Sequence, residues 1–142
     1  MNQRDNEFRT TLLSEESMPV TILIIESRAS LRRALRNWLE VMFAECHVLE
    51  ASDMAEAITT AQAGLPQVVI VDLGFPNASD LEAIAQLKAL VPVTQIVILA
   101  NDEDQIYRSL VTVHGASAYI AKNALLNQLQ PTLTALLLAE AC

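Results

Sequence analysis

Asp72 is the residue in this chain best placed to do chemistry. It follows the apolar run Val68-Val69-Ile70-Val71 and precedes Leu73-Gly74-Phe75-Pro76. A run that short and β-branched, with Gly64-Leu65-Pro66 before it, predicts a buried strand. A carboxylate at the C-terminal end of such a strand lies where open α/β sheets gather their reactive groups. There it can act as a nucleophile, a metal ligand or a proton carrier. Three further apolar runs end in polar or small residues: residues 21–25 at Glu26-Ser27, 95–99 at Ala100-Asn101, and 118–121 at Lys122-Asn123. In a parallel sheet these ends share one edge, so two carboxylates and a lysine can converge.

The elements that must position them alternate regularly. After residues 21–25, Leu31, Ala34, Leu35, Trp38, Leu39 and Met42 recur at helical spacing, with Arg32, Arg33 and Arg36 between them as the wet face. Residues 47–51 form a second strand. A helix follows, opened by Ser52 or Asp53 with Glu56 behind it and closed by Gly64. After the Asp72 strand, Ser79 with Glu82 has capping-box spacing. Residues 102–114 read as a helix closed by Gly115, and 125–141 as a last helix. Pro131 predicts a bend in that helix, or a start near the proline. Five β-then-α units predict an α/β fold: a doubly wound, five-stranded parallel sheet in the order 2-1-3-4-5, two helices on one face and three on the other. Residues 1–19 lack a clear period and read as a loosely ordered extension, leaving 20–142 as one domain.

Composition narrows the function. The chain has 142 residues, 52% of them hydrophobic and 4% aromatic, which suits a sheet covered on both faces by Ala/Leu-rich helices. The formal charge of -8 gives no electrostatic case for binding nucleic acid or an anionic membrane directly. No apolar stretch of about 18 residues predicts a membrane span. The N-terminus lacks a charged-then-apolar signal pattern, so the expected location is cytoplasmic. Cys46 and Cys142 do not make a disulfide framework, and His47 and His114 have no partner at ligand spacing.

From Thr21 onward the sequence resembles the response-regulator receiver domain of two-component phosphorelay signalling, a flavodoxin-like (βα)5 fold. The segments that carry the likeness are Ile22-Leu23-Ile24-Ile25-Glu26-Ser27, Val69-Ile70-Val71-Asp72-Leu73-Gly74-Phe75-Pro76, Ile96-Val97-Ile98-Leu99-Ala100 and Gly115-Ala116-Ser117-Ala118-Tyr119-Ile120-Ala121-Lys122-Asn123. The resemblance implies a phosphoacceptor at Asp72, supported by Lys122, with Mg²⁺ held by Glu26, Asp72 and the carbonyl of Gly74. It implies a switch that couples position 100 to Tyr119. The chemistry explains the residue types, since a phosphoryl group approaching a carboxylate is repelled unless cations offset the charge.

Two positions depart from the family pattern. Ser27 stands where the second acid of a metal-binding pair is usual, and a neutral serine is a poor ligand for a hard cation. Ala100 stands where a Thr or Ser hydroxyl is usual. The expectation is a phosphoacceptor with weak or absent Mg²⁺ binding and weakened switching; the alternative is a pseudo-receiver that acts by protein contact without phosphorylation. The implied partners are a histidine kinase or phosphotransfer protein, and an output protein on the helix 4–strand 5–helix 5 face around Tyr107, Arg108 and Tyr119. A homodimer is a further partner expectation. Leu136 to Leu138 fit either core packing or an exposed contact. The sequence ends soon after the fifth helix and reads as a stand-alone receiver or a piece of a longer protein. Phosphohydrolases that form aspartyl-phosphate usually carry a second Asp two residues on, where this chain has Gly74. A flavin role is disfavoured by Glu26 in the place of a phosphate-cradling loop.

Overall fold

The computed structural model describes residues 20–74 and 77–141; the extension expected over residues 1–19, the Phe75-Pro76 pair and Cys142 lie outside the described residues. The strands are β1 (Thr21–Ile25), β2 (His47–Ala51), β3 (Val68–Gly74), β4 (Gln95–Ala100) and β5 (Ala118–Ala121). The helices are α1 (Ala29–Met42), α2 (Met54–Gly64), α3 (Ala78–Leu90), α4 (Gln105–Val113) and α5 (Leu125–Ala141). All strand pairs are parallel and the order is β2-β1-β3-β4-β5, as the alternating units predict.

Strand side chains alternate between two cores, because successive Cβ atoms point to opposite faces. Ile22 and Ile24 of β1, with Val68 and Ile70 of β3, pack against Leu39 of α1 and Leu129 and Leu133 of α5. Leu23, Ile25, Val69 and Val71 pack against Ala57 and Ala61 of α2, Ile84 and Leu87 of α3, and Val111 of α4. So two helices cover one face and three the other. β1 and β3 are buried on both faces, which explains their unbroken apolar runs.

Several local expectations are refined. Asp53 caps α2, accepting from the Glu56 N–H at 2.8 Å, while Ser52 donates to the Glu56 carboxylate. Gly64 is the last residue of α2 rather than its cap; Leu65 takes the left-handed position at φ 45°. A Cβ on Gly64 would meet Leu49 Cδ1 at 2.7 Å, so a side chain there would have to displace the end of Leu49. α3 opens two residues earlier than the Ser79–Glu82 spacing suggests, with Asn77 and Asp80 forming the capping box. Short polar residues recur here, and the pair that fits the backbone wins. α4 is capped by Asp104, and α5 starts at Leu125 and runs through Pro131, so the later start is overturned. Leu125 follows directly from a 3₁₀ turn (Lys122–Ala124), which supplies a helical lead-in well before the proline. Leu136 and Leu137 pack on the α1/α5 core, and Leu138 is exposed.

Candidate functional site

The C-terminal ends of β1, β3 and β5 bring Glu26, Asp72 and Lys122 to one edge of the sheet. Lys122 Nζ lies 2.8 Å from Asp72 Oδ1. The N–H of Gly74 also donates to Oδ1, at 3.1 Å. Both bonds fall on one carboxylate oxygen, Oδ1. Gly74 reaches this geometry at φ 65°, left-handed backbone that favours glycine, and the β3–β4 register shifts between Asp72 and Gly74. The Gly74 carbonyl accepts from the Asn101 N–H at 2.7 Å. A cavity of about 270 Å³ extends from Glu26, Asp72 and Lys122 between α1 and α5, lined by Trp38, Leu99 and Leu129.

The residue that sequence reasoning missed is Arg28. Its Nε and its backbone N–H both donate to Glu26 Oε1 at 2.9 Å, and its Nη2 lies 3.9 Å from Asp72 Oδ2. Each Asp72 oxygen thus has its own cation, Lys122 on one side and Arg28 on the other. Arg28 is also the N-cap residue of α1 and makes no side-chain cap there. Arginine is a poor cap and a cation is unfavourable at a helix N-terminus, so its placement is not explained by helix formation. The available signal was a cation two residues beyond the first strand-end acid. Ser27, between them, is exposed. Nor are all the α1 arginines a wet face. Arg32 donates to the Glu26 carbonyl at 2.8 Å and to Glu50 at 3.2 Å, and Arg36 donates to Glu50 at 2.6 Å.

Electrostatics separate the two carboxyls. Burial is the largest influence on Asp72 and raises its pKa; the Glu26 carboxyl raises it further, and Lys122 opposes both without cancelling them. Burial also pushes Glu26 upward, but hydrogen bonding to Arg28 and to Asp72 outweighs it and holds Glu26 below the usual carboxylate range.

At the other end of the site, Ala100 is fully buried and presents only a methyl group. The Tyr119 ring is buried, and its hydroxyl donates to the Asp102 carbonyl at 2.7 Å. Arg108 stacks over that ring at 4.9 Å, and Tyr107 lies beside it with ring centroids 6.3 Å apart. Of the three residues expected on the outer face, Tyr119 therefore points inward and only Tyr107 and Arg108 reach the surface, half-buried. Among the described residues no cluster of three His, Cys, Asp or Glu side chains could hold a metal ion, and no helix is long and apolar enough to cross a membrane.

Residues 22–134 match the family model of the response regulator receiver domain. The chain belongs to that family. Receivers are signalling modules that generally bind Mg²⁺ in the acidic pocket and work with histidine kinases or phosphotransfer proteins and with output domains. Among relatives, the KDP operon transcriptional regulatory protein KdpE of Escherichia coli is 30% identical over 112 residues, which is 79% of this chain and 48% of that protein. The transcriptional regulatory protein MctR of Rhizobium johnstonii is 29% identical over 111 residues, 76% of this chain and 50% of that protein. The chain thus spans about half the length of the curated relatives it matches. Solved structures share the receiver fold. A LuxR-family two-component response regulator from Aurantimonas superposes with TM-score 0.76 at 22% identity, covering 85% of this chain and 86% of that one. The chemotaxis protein CheY4 of Vibrio cholerae gives 0.67 at 23% identity, covering 80% and 98%.

Proposed function

We propose that this receiver accepts a phosphoryl group on Asp72, with reduced Mg²⁺ binding and weakened switching. The observation that carries the reading is the asymmetry of the Asp72 carboxylate. Oδ1 is held by Lys122 and the Gly74 N–H, which leaves Oδ2 as the nucleophile facing the pocket. Lys122 then offsets charge as the phosphoryl group arrives.

The donor set does not fit a tight Mg²⁺ site. Mg²⁺ demands near-ideal octahedral oxygen ligation. Here Glu26 Oε1 is engaged by Arg28, the Gly74 carbonyl by Asn101, and position 27 supplies no carboxylate. Weakened switching rests on Ala100, which has no hydroxyl to follow a phosphoryl oxygen, and on Tyr119, already bonded inward to Asp102. Those same two residues favour the second reading, a receiver whose protein contacts do not depend on phosphorylation. A histidine kinase or phosphotransfer protein is the proposed donor, and the surface around Tyr107 and Arg108 the proposed output face.

Intact mass after incubation with a small phosphodonor tests the reading. Wild type gains one phosphoryl group, and Asp72→Asn gains none. An unmodified wild type overturns it in favour of the phosphorylation-independent module, and an equally modified variant overturns Asp72 as the acceptor.

A further inference from the structure

We propose that Arg28 is a built-in cation that takes the place of the metal, so that phosphoryl transfer to Asp72 proceeds without a divalent ion. The proposal rests on Asp72 being the phosphoacceptor. Its observation is separate: a guanidinium beside both carboxylates that would otherwise share a metal. Arg28 Nε is bonded to Glu26 at 2.9 Å, and Nη2 stands 3.9 Å from Asp72 Oδ2, the oxygen that neither Lys122 nor Gly74 engages.

The chemistry of the guanidinium suits this place. It is planar, stays charged at any physiological pH, and presents five N–H donors in a fixed fork that matches phosphoryl oxygens. Anchoring through Nε leaves the outer N–H groups free to meet the incoming group. The Arg28 side chain is 55% exposed, so the fork is open to a donor arriving from solvent. Glu26 is 4% exposed and is fixed in turn, so the anchor is rigid. Backbone at the start of α1 adds partial positive charge on the same side. A non-capping arginine at an N-cap, with no acid in the first turn of the helix, is then a local cost that the site explains.

The step balances without a metal. A lone pair on Oδ2 attacks phosphorus of a phosphoramidate or acyl phosphate donor. The Oδ2–P bond forms as the P–N or P–O bond to the leaving group breaks with its electron pair; a nitrogen leaving group takes a proton from water, and a carboxylate departs as the anion. Charge on the equatorial phosphoryl oxygens is met by Lys122 from one side and Arg28 from the other.

Two arms test the proposal. Trp38, the chain's only tryptophan, lines the same cavity as Glu26 and Asp72, so its fluorescence reports Mg²⁺ titration. Wild type should show no saturable change through the millimolar range, whereas Arg28→Ala frees both carboxylates and should bind Mg²⁺ at least about tenfold more tightly. Equal binding by the two proteins overturns the proposal. In the second arm, labelling by phosphoramidate is followed in excess chelator and in Mg²⁺. Wild type should label in chelator at a rate within about threefold of its rate in Mg²⁺, a difference well under one decade of free energy. Arg28→Ala should lose the chelator-resistant reaction and recover it with Mg²⁺, while Arg28→Lys, which keeps a cation, should retain part of it. Wild type that labels with Mg²⁺ but not in chelator overturns the role of Arg28 and leaves Asp72 as phosphoacceptor. No labelling of any protein under either condition overturns the phosphoacceptor reading and the proposal with it. The wild-type chelator measurement and the Arg28→Lys variant keep the proposal open to refutation even if the alanine variant fails to fold.

Discussion

Lys122 is the residue whose loss should be felt most directly at Asp72. Its 2.8 Å contact is a charge-assisted bond to Oδ1, and under the proposed function it offsets charge while Oδ2 attacks. Lys122→Ala should slow labelling of Asp72 by roughly 10- to 100-fold, the rate equivalent of a charged hydrogen bond of about 1.5–3 kcal/mol. Stopped-time intact mass gives that rate, and an unchanged rate would remove Lys122 from the chemistry. Asp72, Glu26 and Lys122 were legible in the sequence because each sits one step past an apolar run, and strand ends converge by topology. Arg28 was not. Sequence shows that a cation follows Ser27, but the direction of a long side chain is set by what it can bond to, and the buried Glu26 carboxylate is visible only in three dimensions.

Elements were legible wherever periodicity and length agreed, and less so at their ends. Ser79–Glu82 and Asn77–Asp80 both have capping chemistry, and only the chain's path from β3 chooses between them. At the end of α2 the left-handed cap position falls on Leu65, one residue past the expected Gly64. Leu65 is mostly exposed and holds a left-handed conformation that costs residues with a Cβ. Leu65→Gly should therefore stabilise the domain by about 0.5–1 kcal/mol, measured by denaturant midpoint at constant slope. A loss of stability would mean that the Leu65 side chain contributes more by contact than its backbone costs. The α1–β2 clamp is a second element-scale device. Hydrogen bonding from Arg36, and then Arg32, holds Glu50 below the usual carboxylate range despite some opposing burial. A carboxyl with a depressed folded-state pKa contributes stability above its unfolded pKa and loses it as pH falls through the folded value. The gap in thermal midpoint between wild type and Glu50→Gln should thus be widest near neutral pH and close on acidification. A gap independent of pH would show that the clamp is not ionic.

At the scale of the whole molecule the question is whether an event at Asp72 reaches Tyr107 and Arg108. A ligand shifts an equilibrium only by its differential interaction with the two states. With a methyl group at Ala100 and the Tyr119 hydroxyl already bonded to Asp102, little differs between them. A beryllofluoride phosphoryl mimic should leave the chemical shifts of α4 and Tyr119 nearly unchanged in wild type. In Ala100→Ser, where a hydroxyl can follow the mimic, the changes should spread to Tyr119. Large shifts through α4 in wild type, with no further effect of the serine, would point to another relay such as Asn101. The fold, its strand order and the division of helices between faces were readable from the alternation of β and α patterns. The inward seat of Tyr119 was not, because a half-apolar ring fits a surface or a core equally well by composition. Everything at this scale depends on which atom carries the phosphoryl group. Borohydride reduction of the labelled protein converts an aspartyl phosphate to homoserine, and peptide mass mapping then locates it. The account predicts homoserine at position 72 and nowhere else; a phosphoryl group retained on another residue, or no reducible acyl phosphate at all, would contradict it.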